Sequence, residues 1–290
     1  MAHKYKIYDV FTDTALEGNP LAVVFDADDL DTARMQAIAG EFNLSETIFF
    51  IAPEDPQHTV GARIFTPKSE LPFAGHPTVG GAVAFCAHRG DHDDQLVLEL
   101  PAGPVACSVA LSPSHGETSF DAPLAPRITE ENVDTGAIAR ALGLRPDELG
   151  FGGFAPVRAT SGPNFTIVPI REPARLADIA LDHNSWRQAF GEVGRSAYCI
   201  APTGEATFQA RMFAPLDGIP EDPATGSAAV AFAALLGRAS SGAHSYTIRQ
   251  GLEMGRPSTL AITVEAEGGT VSRVRLSGSA VLVAEGTLHL

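Results

Sequence analysis

Cysteine is scarce in this chain of 290 residues. Cys86, Cys107 and Cys199 make an odd count of three, and no two of them are spaced as C-x-x-C. That pattern argues against a disulfide framework and against a structural zinc site. We therefore expect free thiols, no metal site and a reducing cytoplasm as the compartment.

Long apolar runs and an excess of positive charge are also missing. No run of about 18 apolar residues occurs, and residues 1–6 lead into a strand pattern without the apolar region of a signal peptide. Lys and Arg number 20 against 35 Asp and Glu, which gives a formal net charge of −15. Such an acidic chain repels phosphate backbones and anionic lipid surfaces, so we expect neither nucleic acid nor a membrane as a partner.

The motifs of several common enzyme classes are absent as well. The sequence has no dinucleotide-binding glycine pattern, no Walker loop and no G-x-S-x-G elbow. A hydrolase triad of Ser45, His76 and Asp222 is disfavoured, because nothing presents the serine. Residues 88–94 offer His and Asp side chains of the kind that bind metals, but they follow a predicted helix end and have the composition of a solvated loop.

The sequence contains an internal repeat. Gly75–Phe85 and Glu221–Ala231 share one plan, in which a polar residue and a proline precede a run of very small residues. Upstream, Ala62–Pro67 matches Ala210–Pro215. The two pairs of blocks keep nearly the same offset, 148 residues (from 62 to 210) and 146 residues (from 76 to 222). This register indicates a tandem duplication, in which each half carries a strand, a loop and a small-residue helix.

The starts of the two helices are candidate ligand-binding positions. Proline is favoured at the first helical position, so Pro223 predicts that Asp222 is the N-cap, and His76 holds the matching place in the first half. Gly226 and Ser227 leave the helix end bare. The unpaired amides and the dipole of such a helix start attract anions.

The remaining pattern predicts mostly antiparallel strands with one apolar helix in each half. A helix that is apolar on all sides should be buried within its sheet, so the fold class is α+β. Residues 113–126 are rich in turn formers and are the predicted linker. We place the first domain at residues 1–118 and the second at 119–280, with a strand near 280–290 as a candidate to complete the first.

Strand patterns also place several individual residues. Glu46 falls at the junction between a loop and the strand Ile48–Ile51. Arg63 and Arg211 lie within matching strands and are expected to point outward. Near the end of the sequence, two separate strands are predicted, at 271–276 and 280–284.

Five blocks, spread over nearly the whole chain, resemble the PhzF-like isomerases of phenazine biosynthesis. The blocks are Glu17–Val23, Phe42–Thr47, Arg63–Pro67, Leu71–Thr78 and Glu221–Ala228. The resemblance implies a diaminopimelate-epimerase-like fold of two similar, pseudo-twofold-related domains. Each domain is a mostly antiparallel β-barrel wrapped around a central helix, and the site lies in the cleft between them. The resemblance also implies a homodimer and the absence of a cofactor. The reaction it implies is like the family's best-known one, which moves a proton on the ring of trans-2,3-dihydro-3-hydroxyanthranilate.

The resemblance assigns catalytic roles to three residues. Glu46 matches the family's acid/base, and His76 and Asp222 match the polar pair that accompanies it. Related epimerases and racemases of this fold carry a cysteine at each helix start. Here His76 and Asp222 stand in those places, so the resemblance argues against a two-thiol racemase.

A second group of residues is assigned to the substrate carboxylate. Ser227 and the amides around Gly75 and Gly226 match the groups that surround it in the family. Thr225 lies beside them, and Asn19, in a loop before a strand, is a further candidate. The alternative is structural: small residues allow a helix to pack closely, and Gly-Asn-Pro is first of all turn chemistry.

The chemistry that fits this set is a proton shift within one molecule. A single carboxyl group can take a proton and return it, but the ordinary Glu pKa of about 4.3 is too low for an efficient acid near neutrality, so such sites raise it by desolvation. We therefore expect a cofactor-independent isomerase acting on a small carboxylate-bearing molecule, cyclic in the best-known case, with Glu46 as acid/base. The alternatives are an epimerase or dehydratase-like enzyme, and a binding protein of the same fold that kept the cleft and lost catalysis. For Glu46 alone, the alternative is a surface glutamate at the start of a strand.

Overall fold

The structure of the chain, a computed structural model, describes residues 2–90, 93–191 and 195–290, with only the backbone of residues 93 and 94. Within these ranges the chain forms seventeen strands and six α-helices. The strands are β1 (Ala2–Val10), β2 (Asn19–Val24), β3 (Glu46–Ile51), β4 (Val60–Phe65), β5 (Glu70–Leu71), β6 (Asp93–Leu100), β7 (Gly103–Leu111), β8 (Gly116–Asp121), β9 (Arg127–Glu130), β10 (Val157–Thr160), β11 (Asn164–Pro169), β12 (Ser196–Pro202), β13 (Thr207–Ala214), β14 (Ile219–Asp222), β15 (Gly242–Gln250), β16 (Ser258–Glu267) and β17 (Thr270–His289). The helices are α1 (Thr32–Phe42), α2 (Gly75–Arg89), α3 (Thr135–Ala141), α4 (Ala174–Ala177), α5 (His183–Phe190) and α6 (Gly226–Ala239).

The chain divides into two compact units. Unit 1 is Met1–Pro123 together with Leu276–Leu290, and unit 2 is Leu124–Arg275. The second division falls inside β17, so this one strand contributes residues to both units.

Eight strands of unit 1 close into a barrel. Their order around it is β1, β2, β3, β4, β6, β7, β8 and β17, and β17 pairs again with β1. Side chains alternate between the two faces of each strand. In β7, for example, Val105, Cys107 and Val109 are buried, and the residues between them are exposed. Closure pairs the strand edges that an open sheet would expose.

Helix α2 lies inside this barrel. It contacts β1, β2, β3, β6, β7 and β8, and every residue from Gly75 to Ala84 is buried. Gly80 shows why its residues are small, because a Cβ there would lie 2.5 Å from Val10 Cγ2 and 2.7 Å from Leu21 Cδ2. A helix without a polar side is therefore enclosed on all sides, as the sequence predicts.

Unit 2 repeats the connections of unit 1. In each unit an antiparallel pair is followed by parallel, antiparallel, parallel and antiparallel pairs along the chain. These pairs run from β1–β2 to β6–β7 in unit 1 and from β10–β11 to β15–β16 in unit 2. Helix α6 contacts β9, β10, β11 and β16, and it is buried from Ala228 to Gly237. The repeated topology supports the tandem duplication.

The linker predicted at residues 113–126 contains the division between the units, at Pro123 and Leu124, but it is too long. Strand β8 occupies its middle, where Gly116, Thr118 and Phe120 are buried and alternate with more exposed residues. Turn-forming residues on either side of the strand obscured this alternation. No helix within the described ranges has both the length and the apolarity needed to cross a membrane.

The two strands predicted near the end of the sequence are one continuous strand, β17. The predicted break fell at the residues around Gly278. That glycine does not end the strand. Instead it makes room for Phe11, whose Cδ1 would lie 2.4 Å from a Cβ at this position.

Candidate active site

Glu46 is the first residue of β3, at the loop-to-strand junction that the sequence predicts. It pairs in register with Leu21 of β2, and Leu21 points at α2. Paired residues of neighbouring strands share one face of the sheet, so Glu46 faces the interior of the barrel. Its side chain is 16% exposed.

His76 lies in the first turn of α2, which begins at Gly75 with Ala74 as N-cap. The Nδ1 atom of His76 is 2.7 Å from Oε2 of Glu46, and the His76 side chain is 4% exposed. The other ring nitrogen, Nε2, is buried and has no hydrogen-bond partner among the described residues. The structure therefore joins two of the predicted catalytic residues in one buried pair, the Glu46–His76 pair.

The amides of the first turn of α2 lie at the same position. The first amides of a helix have no acceptor within the helix and carry the positive end of its dipole. Gly75 and His76, the first two residues of this turn, are both buried. The tip of α2 thus combines an anion-attracting backbone with the Glu46–His76 pair.

Asn19 is the first residue of β2 and is completely buried. It stands two residues before Leu21, so it shares the inward face of β2. The preceding Gly18 has φ +67°, and a Cβ there would lie 2.4 Å from the carbonyl oxygen of Val10. The turn therefore requires a glycine, and it delivers Asn19 to the interior rather than to the solvent.

Asp222 is the last residue of β14, not the N-cap of α6 as the sequence predicts. Helix α6 begins at Gly226 with Thr225 as N-cap. Asp222 keeps the extended backbone of β14, which a following proline favours, and Pro223 belongs to the loop. The proline rule is not decisive by itself, because His76 also precedes a proline and lies within α2. Counted from the helix starts, the residue that corresponds to His76 is Ser227, and the interpretation that His76 and Asp222 hold equivalent places is wrong.

Asp222 belongs to a buried polar cluster with Thr225 and Gln250. Thr225 Oγ1 donates to Asp222 Oδ2 at 2.5 Å. Gln250 Nε2 lies 2.8 Å from the Asp222 carbonyl oxygen and 3.0 Å from Thr225 Oγ1, and the Thr225 amide donates to Gln250 Oε1 at 3.3 Å. Burial first, and then the nearby charge of Asp222, raise the pKa of Tyr198 above its usual range.

Two residues near the start of α6 were missed by the sequence reasoning. Gln250 is a polar residue at a buried position of β15, two residues after the buried Ile248, and that parity is the signal that identifies it. Ser161, in the β10–β11 turn, donates to the carbonyl oxygen of Ser227 at 2.8 Å. The β10–β11 turn therefore braces the first turn of α6, where Gly226 is buried and Ser227 is partly exposed.

A matching ion pair precedes the central helix of each unit. Arg63 donates two hydrogen bonds to Glu70 of β5, each of 2.7 Å, and Arg211 donates two to Glu221 of β14, each of 2.8 Å. Both guanidinium groups also lie over a phenylalanine of their own strand. Arg63 and Arg211 lie on the strand faces that turn away from α2 and α6, as expected. They do not simply reach solvent, because each ties the short strand before a helix tip to its neighbour.

The cysteines are free and buried. Burial first, with a smaller effect of Cys86, raises the pKa of Cys107 to about 12, and burial also raises the pKa of the Cys199 thiol. Cys107 and Cys199 therefore stay protonated near neutrality and are poorly suited as bases.

Metal ligands are not clustered in the part of the chain that the structure describes, where no group of three or more His, Cys, Asp or Glu side chains could hold an ion. Of the metal-like stretch singled out in the sequence, Asp91 and His92 lie outside the described residues, as do the side chains of Asp93 and Asp94. The absence of a metal site from that stretch stays a prediction.

Comparison with known proteins gives three consistent findings. The family model of phenazine biosynthesis-like proteins, PhzC-PhzF, matches residues 8–286. An uncharacterized isomerase from Mesorhizobium japonicum is 41% identical over 99% of this chain and 98% of its own length. The trans-2,3-dihydro-3-hydroxyanthranilate isomerase of Pseudomonas chlororaphis is 37% identical over 99% of this chain and 100% of its own length.

The fold has solved counterparts as well. The crystal structure of a Bacillus anthracis phenazine biosynthesis protein of the PhzF family matches with a TM-score of 0.88 and 23% identity, covering 100% of both chains. This likeness, together with the closed barrel around α2, confirms the predicted α+β fold of the diaminopimelate-epimerase type.

Proposed function

Because this chain belongs to the phenazine biosynthesis-like PhzC-PhzF family, an isomerase-type family, we propose that it moves a proton within a small carboxylate-bearing molecule. In this proposal Glu46 is the general acid/base, no metal or organic cofactor takes part, and the reaction is of the kind carried out by trans-2,3-dihydro-3-hydroxyanthranilate isomerase. The proposal that the substrate resembles trans-2,3-dihydro-3-hydroxyanthranilate rests on the isomerase relative that is 37% identical.

The observation that carries the proposal is the Glu46–His76 pair. A carboxylate oxygen 2.7 Å from an imidazole nitrogen, in side chains that are 16% and 4% exposed, is held in place and largely removed from water. If Nδ1 of a neutral His76 carries the proton, it donates to Glu46, and Nε2 is then an acceptor for a substrate hydroxyl. Glu46 takes a proton from one carbon of the substrate, the C–H electron pair joins the conjugated system, and Glu46 returns the proton at another carbon.

The substrate carboxylate is assigned to the helix starts. The net charge of −15 opposes the approach of an anion, so binding depends on local donors. We assign this role to the amides at Gly75 and Gly226 and to Ser227, with Asn19 as a neighbouring polar group. Thr225 lies at the same helix start, but its hydroxyl donates to Asp222 and its amide to Gln250, so it shapes the site and does not donate to the carboxylate. Asp222 is the second member of the catalytic polar pair. Amides at a helix start are suited to it because they are unpaired and lie at the positive end of the dipole.

The experiment uses trans-2,3-dihydro-3-hydroxyanthranilate in deuterium oxide. Wild-type protein should form the isomer with solvent deuterium at the new C–H position, as measured by mass spectrometry and proton NMR. Glu46→Gln keeps the shape of the side chain but removes the base, so turnover should fall by about 10²–10⁴-fold, while the dissociation constant changes less than about threefold. Glu41→Gln, on an exposed position of α1, is the matched control.

Three outcomes separate the alternatives. Turnover retained in Glu46→Gln overturns the acid/base assignment. Deuterium that enters a stereocentre without formation of the isomer indicates an epimerase. Binding without deuterium uptake by the wild-type protein indicates a binding protein of this fold.

The compartment and the assembly are finer proposals. The three free, buried thiols support a reducing cytoplasm. A homodimer is supported by the family resemblance, and light scattering on the purified protein measures it directly: a monomer mass at working concentration contradicts it.

A further inference from the structure

The side-chain amide of Gln250 makes three hydrogen bonds, all of them to Asp222 and Thr225. Gln250 is the last residue of β15 and is completely buried. Its amide faces the carbonyl oxygen of Asp222, the hydroxyl of Thr225 and the backbone amide of Thr225. All three groups lie in the segment from the end of β14 to the N-cap of α6.

The directions of these hydrogen bonds, and of the one between Thr225 and Asp222, are fixed by chemistry. The Thr225 backbone N–H can only donate, so it must face Gln250 Oε1, and the Asp222 carbonyl oxygen can only accept, so it must face Nε2. Nε2 in turn can only donate, which makes Thr225 Oγ1 an acceptor from Gln250. The single hydroxyl proton of Thr225 is then left for Asp222 Oδ2, 2.5 Å away.

We propose that Gln250 is a positioning residue for the reaction, which acts through Thr225 to hold the Asp222 carboxylate as an oriented hydrogen-bond acceptor. The distance of 2.5 Å is in the range of O–H···O⁻ hydrogen bonds to an ionised acceptor. This inference rests on the proposed function in one respect, that Asp222 takes part in the reaction.

The surrounding backbone is shaped to admit the cluster. Gly251 follows Gln250 with φ +77°, and a Cβ there would lie 2.7 Å from the carbonyl oxygen of Pro223. The chain after β15 therefore passes directly against the loop that carries Asp222. A side chain at position 251 would collide with that loop.

Two substitutions at Gln250 test the direction of the hydrogen bonds. Gln250→Met keeps the length of the side chain and removes the donor. Gln250→Glu keeps the shape but offers only acceptors when ionised, so it competes with Asp222 for the Thr225 proton. In crystal structures of both variants, the separation of Thr225 Oγ1 and Asp222 Oδ2 should increase from 2.5 Å to beyond hydrogen-bond range or the Thr225 side chain should rotate.

The kinetic expectation is a fall in kcat of about 10–100-fold with KM changed less than about threefold, since a misplaced group near the chemistry lowers the rate more than binding. Thr225→Val should reproduce this loss and Thr225→Ser should restore most of the rate, because serine keeps the hydroxyl. Gln209→Met is the matched control, since Gln209 donates to Glu253 on the surface of the same unit.

The structural and kinetic results fail independently. If wild-type protein has no isomerase activity, the proposed function fails, and the crystal structures still decide whether Gln250 directs the Thr225 proton. Unchanged geometry and unchanged kcat in Gln250→Glu overturn the inference. A lower melting temperature with unchanged kcat also overturns it, because Gln250 is then only a brace. Should the Gln250 variants fail to fold, equal kcat in Thr225→Val and Thr225→Ser overturns it as well.

Discussion

Glu99 shows how strongly one carboxylate can be held by groups from a single turn. Its Oε2 lies 2.5 Å from His58 Nδ1. The backbone amide of Glu54 donates to Oε1 at 2.7 Å, and that of Asp55 donates to Oε2 at 3.0 Å. The hydrogen bond from His58 first, and then those amides, lower the pKa of Glu99 to about 2. Because the folded state stabilises the charged form more than the unfolded state does, this group links folding to pH.

The stability that Glu99 contributes should disappear in acid. The folded-state pKa of about 2 lies below the unfolded value of about 4.3. The contribution is therefore present above about pH 4.3 and is lost as the pH falls toward 2. Glu99→Gln should lower the melting temperature at pH 7, and calorimetry should show the difference from wild type shrinking between pH 4.3 and pH 2. Glu117→Gln, at an exposed position, is the control; a difference that stays constant down to pH 2 contradicts the prediction.

Single residues of the candidate site were predictable to different degrees. The resemblance named Glu46 and His76, and the strand pattern placed Glu46 at the start of a strand. Their contact was not predictable, because it depends on which face of β3 turns inward. Gln250 was missed because its partners lie 25 and 28 residues away along the chain, and only tertiary structure brings them together.

At the scale of elements, the central helices are limited by their neighbours. The space around α2 is set by apolar side chains of β1 and β2, and Gly80 leaves only enough room for a hydrogen. Closely packed interiors do not accept an added methyl group without displacement of side chains or backbone. Gly80 and Gly81 are therefore packing residues, which is the structural alternative that the sequence left open for them.

Gly80→Ala should destabilise unit 1 by about 1–3 kcal/mol, the usual effect of overpacking a core. The new Cβ would lie 2.5 Å from Val10 Cγ2 and 2.7 Å from Leu21 Cδ2. Gly136→Ala in α3 is the matched control. Its nearest neighbour would be Asp134 Oδ1 at 3.4 Å, and alanine is a better helix former than glycine by up to about 1 kcal/mol. Urea unfolding measures both; equal effects of the two substitutions would show that the space around Gly80 can adapt.

The starts of the two helices show where a local sequence rule stops working. The rule that proline takes the first helical position predicted a start at Pro77 and at Pro223. In the structure Pro77 is the third residue of α2, where its missing N–H still costs no helical hydrogen bond. Pro223 lies before α6 altogether. Tertiary contacts decide these boundaries, such as the hydrogen bonds from Gln250 of β15 to the loop before α6. Local sequence propensity carries no information about such contacts.

At the scale of the whole molecule, the duplication was visible in the sequence and the topology follows it. Both units use the same succession of parallel and antiparallel pairs, and both place a short strand, an Arg–Glu ion pair and a small-residue helix in the same order. The sequence pattern did not reveal the continuity of β17, because Ser-Gly-Ser in its middle has the composition of a turn.

Removal of residues 280–290 should open the barrel of unit 1. Every residue that pairs with β1 on this side, from Ala280 to His289, would be lost. Unpaired strand edges favour aggregation. Hydrogen exchange should therefore show faster exchange of the amides of β1, and light scattering should show larger particles. Removal of Leu290 alone is the control. Retained protection of β1 in the shortened chain would contradict the prediction.

The path of β17 also has a consequence for synthesis on the ribosome. Residues up to Pro123 of unit 1 emerge early, but the part of β17 that closes their barrel begins only at Leu276, 153 residues later (276 − 123). At typical elongation rates the gap is roughly 10–30 seconds. Throughout that interval residues up to 123 lack the strand that completes their barrel. The time for which they need chaperones therefore depends on the order of translation and not on the stability of the finished unit.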